Sequence, residues 1–214
     1  MKRREFSVQL AVAALLPLVT RQANAQGAPV EGQNYIRLAQ PVATSVPPGK
    51  VDVIEFFWYG CPHCNALEPV LEAWLKHLPP QIAFRRVHVG FTALHETHQK
   101  IFYTLEAMNL VEQLHRKVFA AIHVQHRRLD KESDIAAFAT ENGVDANKFM
   151  EVYKSFAVQT KARQAKQLTD AYKIDGVPAL GVQGRYYTSV GLAGSQQNTL
   201  AVVEYLTKKV QAGG

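Results

Sequence analysis

Two cysteines are all that the 214 residues contain, and that scarcity narrows the field. A scaffold stapled by several disulfides is excluded, and so is a zinc module built on two cysteine pairs. Excess charge is also scarce: 24 lysines and arginines oppose 18 acids for a formal +6. Lys2, Arg3, Arg4 and Arg21 against Glu5 place half of that excess within residues 1–25. The remainder is mild and scattered, which argues against a nucleic-acid surface. HExxH, internal repeats and low-complexity segments are all missing. The apolar run from Val8 to Val19 falls short of the roughly 20 residues that cross a bilayer comfortably.

What is there begins with an export signal. Lys2-Arg3-Arg4 form a basic n-region, Val8 to Val19 an apolar h-region, and Ala23-Asn24-Ala25 a small-x-small cleavage site. The predicted mature chain starts at Gln26. An uncleaved anchor is the competing reading, and Arg3-Arg4-Glu5-Phe6 weakly resembles a twin-arginine signal, so the export route stays open. Export predicts an oxidising compartment where disulfides persist. Both cysteines, however, sit in one CxxC, Cys61-Pro62-His63-Cys64. A staple across so short a loop constrains the unfolded chain least. The pair reads as chemistry.

The rest of the chain frames that motif. Tyr35 to Leu38 reads as a short strand, and Val51 to Phe57 as a strand apolar enough to be covered on both faces. Asn65 to His77 has Leu67, Val70, Leu71, Trp74 and Leu75 at helical spacing, ended by Pro79-Pro80. Ile82 to Val89 is a further strand, which completes a βαβ unit. From Thr92 to about Tyr172 helical periodicity takes over. Ile101, Leu105 and Met108 form one stripe, and Leu114, Val118 and Ile122 another. Further helices are expected over Asp134 to Glu141, from Asp145, and over Ala157 to Tyr172. Strand signals return at Pro178 to Val182 and Tyr186 to Thr188, around the turn Gln183-Gly184-Arg185. Gln196 to Val210 is the last predicted helix.

A CxxC at a helix start places its first sulfur beside unpaired backbone N–H groups. Cys61 is therefore expected to be a thiolate at neutral pH, and Cys64, one turn in, its more buried partner. The dipole alone is worth about 0.3–1 kcal/mol, ~2 when partly buried, or about one pKa unit. Any larger shift must come from direct N–H donors and from His63. A stabilised thiolate is a stabilised reduced form, so a histidine between the cysteines points to a donor of disulfides more than to a reductant.

Glu55-Phe56-Phe57 ahead of Cys61-Pro62-His63-Cys64, an inserted helical block, and Gly176-Val177-Pro178 late in the chain resemble the DsbA family. These are periplasmic thiol:disulfide oxidoreductases of Gram-negative bacteria, and the resemblance covers essentially the whole mature chain. It implies an α/β, thioredoxin-like fold with a mixed central sheet and an inserted all-helical domain. Residues 1–25 would be the signal peptide, 26–92 and 168–214 the two parts of the thioredoxin-like domain, and 93–167 the helical insertion. It implies that Cys61 is the nucleophile and Cys64 the resolving thiol, with Pro62 and His63 between them and His63 stabilising the thiolate. Val177-Pro178 would be a cis-proline loop facing the cysteines, the Val177 backbone pairing with an extended substrate.

Glu55 would be a buried acid near Cys64, paired with Arg86, although Arg85 adjoins it and strand register decides between them. An arginine does not practically release its proton, so only Glu55 can titrate in that pair. Gly60 departs from relatives that carry a bulky residue there. No cofactor is implied beyond the Cys61–Cys64 disulfide itself. The implied partners are unfolded exported proteins and a membrane quinone oxidoreductase of the DsbB type, for a monomer that binds no nucleic acid.

Of Phe57, Trp58 and Tyr59, strand alternation puts about two in the core. His95 with His98, and His123 with His126, repeat a spacing of three, but without HExxH or more cysteines they read as solvated helix faces. Competing readings are a disulfide isomerase or reductase, a zinc site, and a peptide-binding chaperone. Isomerases of the superfamily carry a separate N-terminal dimerisation domain, for which the residues before the first strand leave no room.

Overall fold

The structure is a computed structural model that describes residues 27–213; the expected signal peptide lies outside the described residues. Five strands form one mixed sheet in the order β1-β5-β4-β2-β3: β1 (Ile36–Arg37), β2 (Val51–Phe57), β3 (Ile82–His88), β4 (Ala179–Val182) and β5 (Tyr186–Ser189). Only β2 and β3 run parallel, joined by helix α1 (Pro62–Leu75). Between β3 and β4 come α2 (Ala93–Ala107), α3 (Val111–His123), α4 (Glu132–Glu141), α5 (Ala146–Tyr153) and α6 (Phe156–Ala171), the last of which runs through position 167. A four-residue turn of helix that the sequence reading did not anticipate, α7 (Val190–Ala193), precedes α8 (Gln196–Gln211).

Burial on both faces explains the nearly unbroken apolarity of β2, which Asp52 and Glu55 interrupt. Every one of its residues is buried, because β3 and β4 flank it and helices cover it. Val51 and Val53 pack with Leu67 and Leu71 of α1 and with Val203 and Leu206 of α8. Ile54 and Phe56 point the other way, into a core shared with Leu105, Leu114, Phe119 and Tyr172 from the helical block. Two apolar cores therefore share one central strand, and the end of that strand is where the cysteines begin.

Helix α1 starts at Pro62, ahead of the expected Asn65. Pro62 sits in the first helical turn, where a missing N–H costs nothing and the fixed φ suits the helix. The β4–β5 hairpin turns through two left-handed residues, Gln183 (φ 51) and Gly184 (φ 62). There the Gly184 N–H donates to the Tyr172 hydroxyl (2.8 Å), and its carbonyl accepts from the Val42 N–H (2.7 Å). A Cβ on Gly184 would collide with the Val42 carbonyl oxygen. Gly184→Ala is therefore expected to destabilise the fold by about 2 kcal/mol or more, left-handed strain adding to the collision. A urea unfolding midpoint measures it, and an unchanged midpoint contradicts this account of the turn.

Candidate active site

As β2 ends, its alternation decides which ring faces where. Phe57 and Tyr59 are fully buried. Trp58 turns to the other side, where its ring stacks on His95 with centroids 4.0 Å apart and its Nε1–H donates to His98 Nδ1 (3.0 Å). The Trp58 ring also occupies the space a Cβ on Gly60 would need, so glycine is a packing requirement at that position. His98 is buried and its Nε2 lies 2.8 Å from the Arg128 carbonyl. His123 Nε2 lies 2.8 Å from the Tyr59 carbonyl. Expecting solvated helix faces at these histidines is thus wrong for His98 and His123, which brace the turn before the cysteines. His95 lies on Trp58, and His126 is exposed beyond the end of α3.

The Cys61 N–H donates to the Trp58 carbonyl (3.0 Å), which places Cys61 as the N-cap of α1. Its Sγ accepts from the Cys64 N–H at 3.4 Å. The same sulfur lies 3.4 Å from the Val177 carbonyl oxygen, a contact in which only the protonated thiol donates, and the Val177–Pro178 peptide is cis. Both cysteines are free thiols. Cys61 is 6% exposed and Cys64 fully buried, while Pro62 and His63 between them are exposed. An open groove beside the pair is lined by His63, Gly176, Val177, Pro178 and Tyr187.

The two sulfurs differ in proton affinity. The Cys64 thiol, hydrogen-bonded to Cys61, does most to lower Cys61 to about 6; backbone N–H groups of Cys64 and His63 and the His63 imidazole add to it, against burial. Burial raises Cys64 far above the ordinary thiol range, and its hydrogen bond to Cys61 holds the proton there. At neutral pH the pair is therefore one thiolate and one thiol.

Beneath it lies a buried charge cluster. In the β2–β3 register Arg86 stands opposite Glu55 and Arg85 opposite Ile54. Arg86 Nε donates to Glu55 Oε2 at 2.9 Å, whereas Arg85 makes a two-pronged pair with Asp52, both contacts 3.0 Å. Arg86 also donates to Glu68 Oε2 (3.0 Å), and His115 Nε2 lies 3.0 Å from Glu68 Oε1. Burial, and then the nearby Glu68, push Glu55 up to about 8 in spite of Arg86. For Glu68 burial is outweighed by the His115 hydrogen bond and the charges around it, which hold it below the usual carboxylate value.

Glu68 and His115 were missed in the sequence, although each leaves a trace. Glu68 stands four residues after Cys64 and three before Leu71, on the buried stripe of α1. His115 shares a stripe with Val111, Val118 and Ile122 on α3. Polar residues on apolar stripes need partners, and here they partner each other. Among the described residues no cluster of three or more His, Cys, Asp or Glu side chains could hold a metal ion, and no helix is long and apolar enough to cross a membrane.

Comparison with known proteins gives this geometry a family. The family model of the DSBA-like thioredoxin domain matches residues 81–201. The chain belongs to that family. It is 40% identical to the thiol:disulfide interchange protein DsbA of Pseudomonas aeruginosa over 181 residues, 85% of either chain. To the protein of that name from Bordetella pertussis it is 41% identical over 209 residues, 96% of this chain and 97% of the other. A crystal structure of Pseudomonas aeruginosa DsbA superposes with a TM-score of 0.82 at 40% identity, covering 86% of this chain and 95% of that one. The α/β thioredoxin-like fold with its mixed sheet is thus the fold of the DsbA-like family.

A lowered Cys61 should react with iodoacetamide at pH 7 while Cys64 does not, the rate rising with pH through an inflection at about 6. Cys64→Ala removes the first of the thiolate's donors and moves that inflection up by about one to two units, the worth of a charged hydrogen bond. An inflection near 9, the ordinary value, or one unmoved by Cys64→Ala, contradicts this assignment.

Proposed function

We propose that the protein donates its Cys61–Cys64 disulfide to newly exported chains through a mixed disulfide at Cys61. The enzyme class follows from the family: a DsbA-like protein with relatives named thiol:disulfide interchange proteins is a protein-disulfide oxidoreductase. The observation that carries the direction of exchange is the sulfur of Cys61 at the N-cap of α1, lowered to about 6. At pH 7 a thiol of 6 instead of 9 makes the reduced form about tenfold more favourable, which is about 30 mV towards an oxidant.

The reaction balances within the site. A substrate thiolate attacks Cys61 Sγ, the Cys61–Cys64 bond breaks, and Cys64 leaves with the electron pair. A buried thiolate at Cys64 is strongly disfavoured, and Glu55, protonated up to about pH 8, is the acid that supplies the proton. A second substrate thiolate then attacks the substrate sulfur of the mixed disulfide and expels Cys61 as its stable thiolate. The substrate loses two electrons and the protein gains them. Arg86 holds the Glu55 carboxyl in place, and His63 favours the Cys61 anion.

The groove along Val177 and Pro178 takes the substrate as an extended segment paired with the Val177 backbone. Residues 26–92 and 168–214 form the thioredoxin-like unit and 93–167 the helical insertion, with a boundary inside α6. With residues 1–25 as an export signal the protein works as a monomer in the periplasm, and a quinone-linked membrane oxidoreductase of the DsbB type restores its disulfide.

The test uses a reduced, unfolded two-cysteine polypeptide and the oxidised protein. One substrate disulfide should form per protein reduced, Cys61→Ser should be inactive, and Cys64→Ala loaded at Cys61 as its glutathione mixed disulfide should exchange the glutathione for a one-cysteine version of the polypeptide and hold that mixed disulfide. Full activity in Cys61→Ser would replace the donor reading with a peptide-binding one.

A further inference from the structure

The buried cluster holds two carboxyl groups and one guanidinium, and its hydrogen bonds are unequally shared. Both oxygens of Glu68 are occupied, Oε2 by Arg86 (3.0 Å) and Oε1 by His115 Nε2 (3.0 Å). Glu55 accepts from Arg86 on Oε2 alone, and its Oε1 is buried with no hydrogen-bond partner. Two fully buried carboxylates cannot both ionise cheaply against a single cation. Neutrality allows one proton between them, and the oxygen that lacks a donor is where it belongs.

His115 bears on that choice through its tautomer. Its other ring nitrogen, Nδ1, lies 2.9 Å from the Tyr59 hydroxyl. Burial raises Tyr59 far above its usual range, so the hydroxyl keeps its proton and can donate it to Nδ1. The ring then carries its own hydrogen on Nε2, aimed at Glu68. The opposite tautomer would set a lone pair against a carboxylate oxygen, which only a protonated Glu68 could tolerate. Burial lowers His115 itself, which keeps the ring neutral.

The titratable and charged groups around this cluster come from every neighbouring element: Arg86 and His88 of β3, Glu68 and Cys64 of α1, Tyr59 at the end of β2, and His115 with Arg116 of α3. Of these, His115 and Arg116 are supplied by the helical block. Arg116 is turned to Glu72 (3.5 Å), which leaves His115 as the helical block's direct hydrogen bond to the two acids.

We propose that His115 is a positioning residue: fixed by Tyr59 as an Nε2–H donor, it keeps Glu68 the ionised partner of Arg86 and so leaves the proton on Glu55, where it serves Cys64. This rests on the reading of Glu55 as the acid for the leaving Cys64 thiolate. Through one side chain the helical block thus sets the protonation of the redox centre.

The test follows the oxidised protein reacting with an arylthiol that is fully ionised throughout, from about pH 6 to about pH 9. In the wild type the rate should fall as pH rises through about 8, when Glu55 loses its proton, and Glu55→Gln should abolish that fall. His115→Leu leaves Glu68 Oε1 without a donor and should raise the Glu68 titration, read by its carboxyl 13C signal, by about one to two units, which narrows its gap to Glu55. His115→Gln, which returns an N–H at that reach, should restore it.

Should His115→Leu not fold, carboxyl 13C signals of the wild type, assigned with Glu55→Gln and Glu68→Gln, decide the matter: Glu55 titrating and Glu68 ionised throughout is the expected pattern. The reverse pattern, or a folded His115→Leu protein with the wild-type Glu68 titration, overturns the proposal while exchange itself persists. A wild type that exchanges no disulfide with the arylthiol overturns the donor reading along with it.

Discussion

A sulfur anion at the mouth of a helix is the constraint on which the site depends. Moving a thiol from 9 to about 6 corresponds to about 4 kcal/mol of preference for the anion. A helix terminus supplies about 1 kcal/mol of that, ~2 in a partly buried setting. The balance comes from donors aimed at the sulfur, namely the Cys64 thiol and the backbone N–H groups of Cys64 and His63. They can be aimed because Cys61 caps α1 and Pro62 sets its first turn. That geometry depends in turn on β2, whose last residues are locked between two apolar cores.

The second half of the chemistry is the management of one proton out of reach of water. Cys64 cannot remain anionic where it lies, so breaking the disulfide requires a nearby acid that is still protonated at neutral pH. Burial first and the neighbouring Glu68 second raise Glu55 to about 8 against the pull of Arg86, which suits it to be that acid in the proposed mechanism. Arg86 bridges the two carboxyl groups, enough to make their burial tolerable and too little to ionise both. The two cysteines and the two carboxyl groups follow the same rule: each pair is divided by its surroundings into one charged and one neutral member.

Much of this was legible in the residues. The run Val51 to Phe57 marked the central strand because burial on both faces leaves a nearly unbroken apolar pattern, and Glu55 stood out as an acid between Ile54 and Phe56. The cysteine spacing fixed the helix start to within one turn, and only the tolerance of proline in a first turn moved it to Pro62. Glu68, His115, His98 and His123 were hidden for a common reason. Periodicity shows which face of a helix is buried, but a polar residue on that face is intelligible only with its partner. These partners lie on other elements: Glu68 with Arg86 and His115, His98 with Trp58, and His123 with the Tyr59 carbonyl. The choice between Arg85 and Arg86 likewise awaited the strand register, which sends one to Asp52 and the other to Glu55.

The most direct measurement is the reduction potential of the Cys61–Cys64 couple against glutathione as a function of pH. Below about pH 6 reduction takes up two protons for two electrons, and the potential should fall by about 59 mV per pH unit. Above it Cys61 stays anionic, Cys64 alone is protonated, and the slope should halve to about 30 mV per unit. A single slope of about 59 mV per unit continuing to about pH 9 would mean that the sulfur at the helix mouth holds its proton like any free cysteine, and would contradict the account.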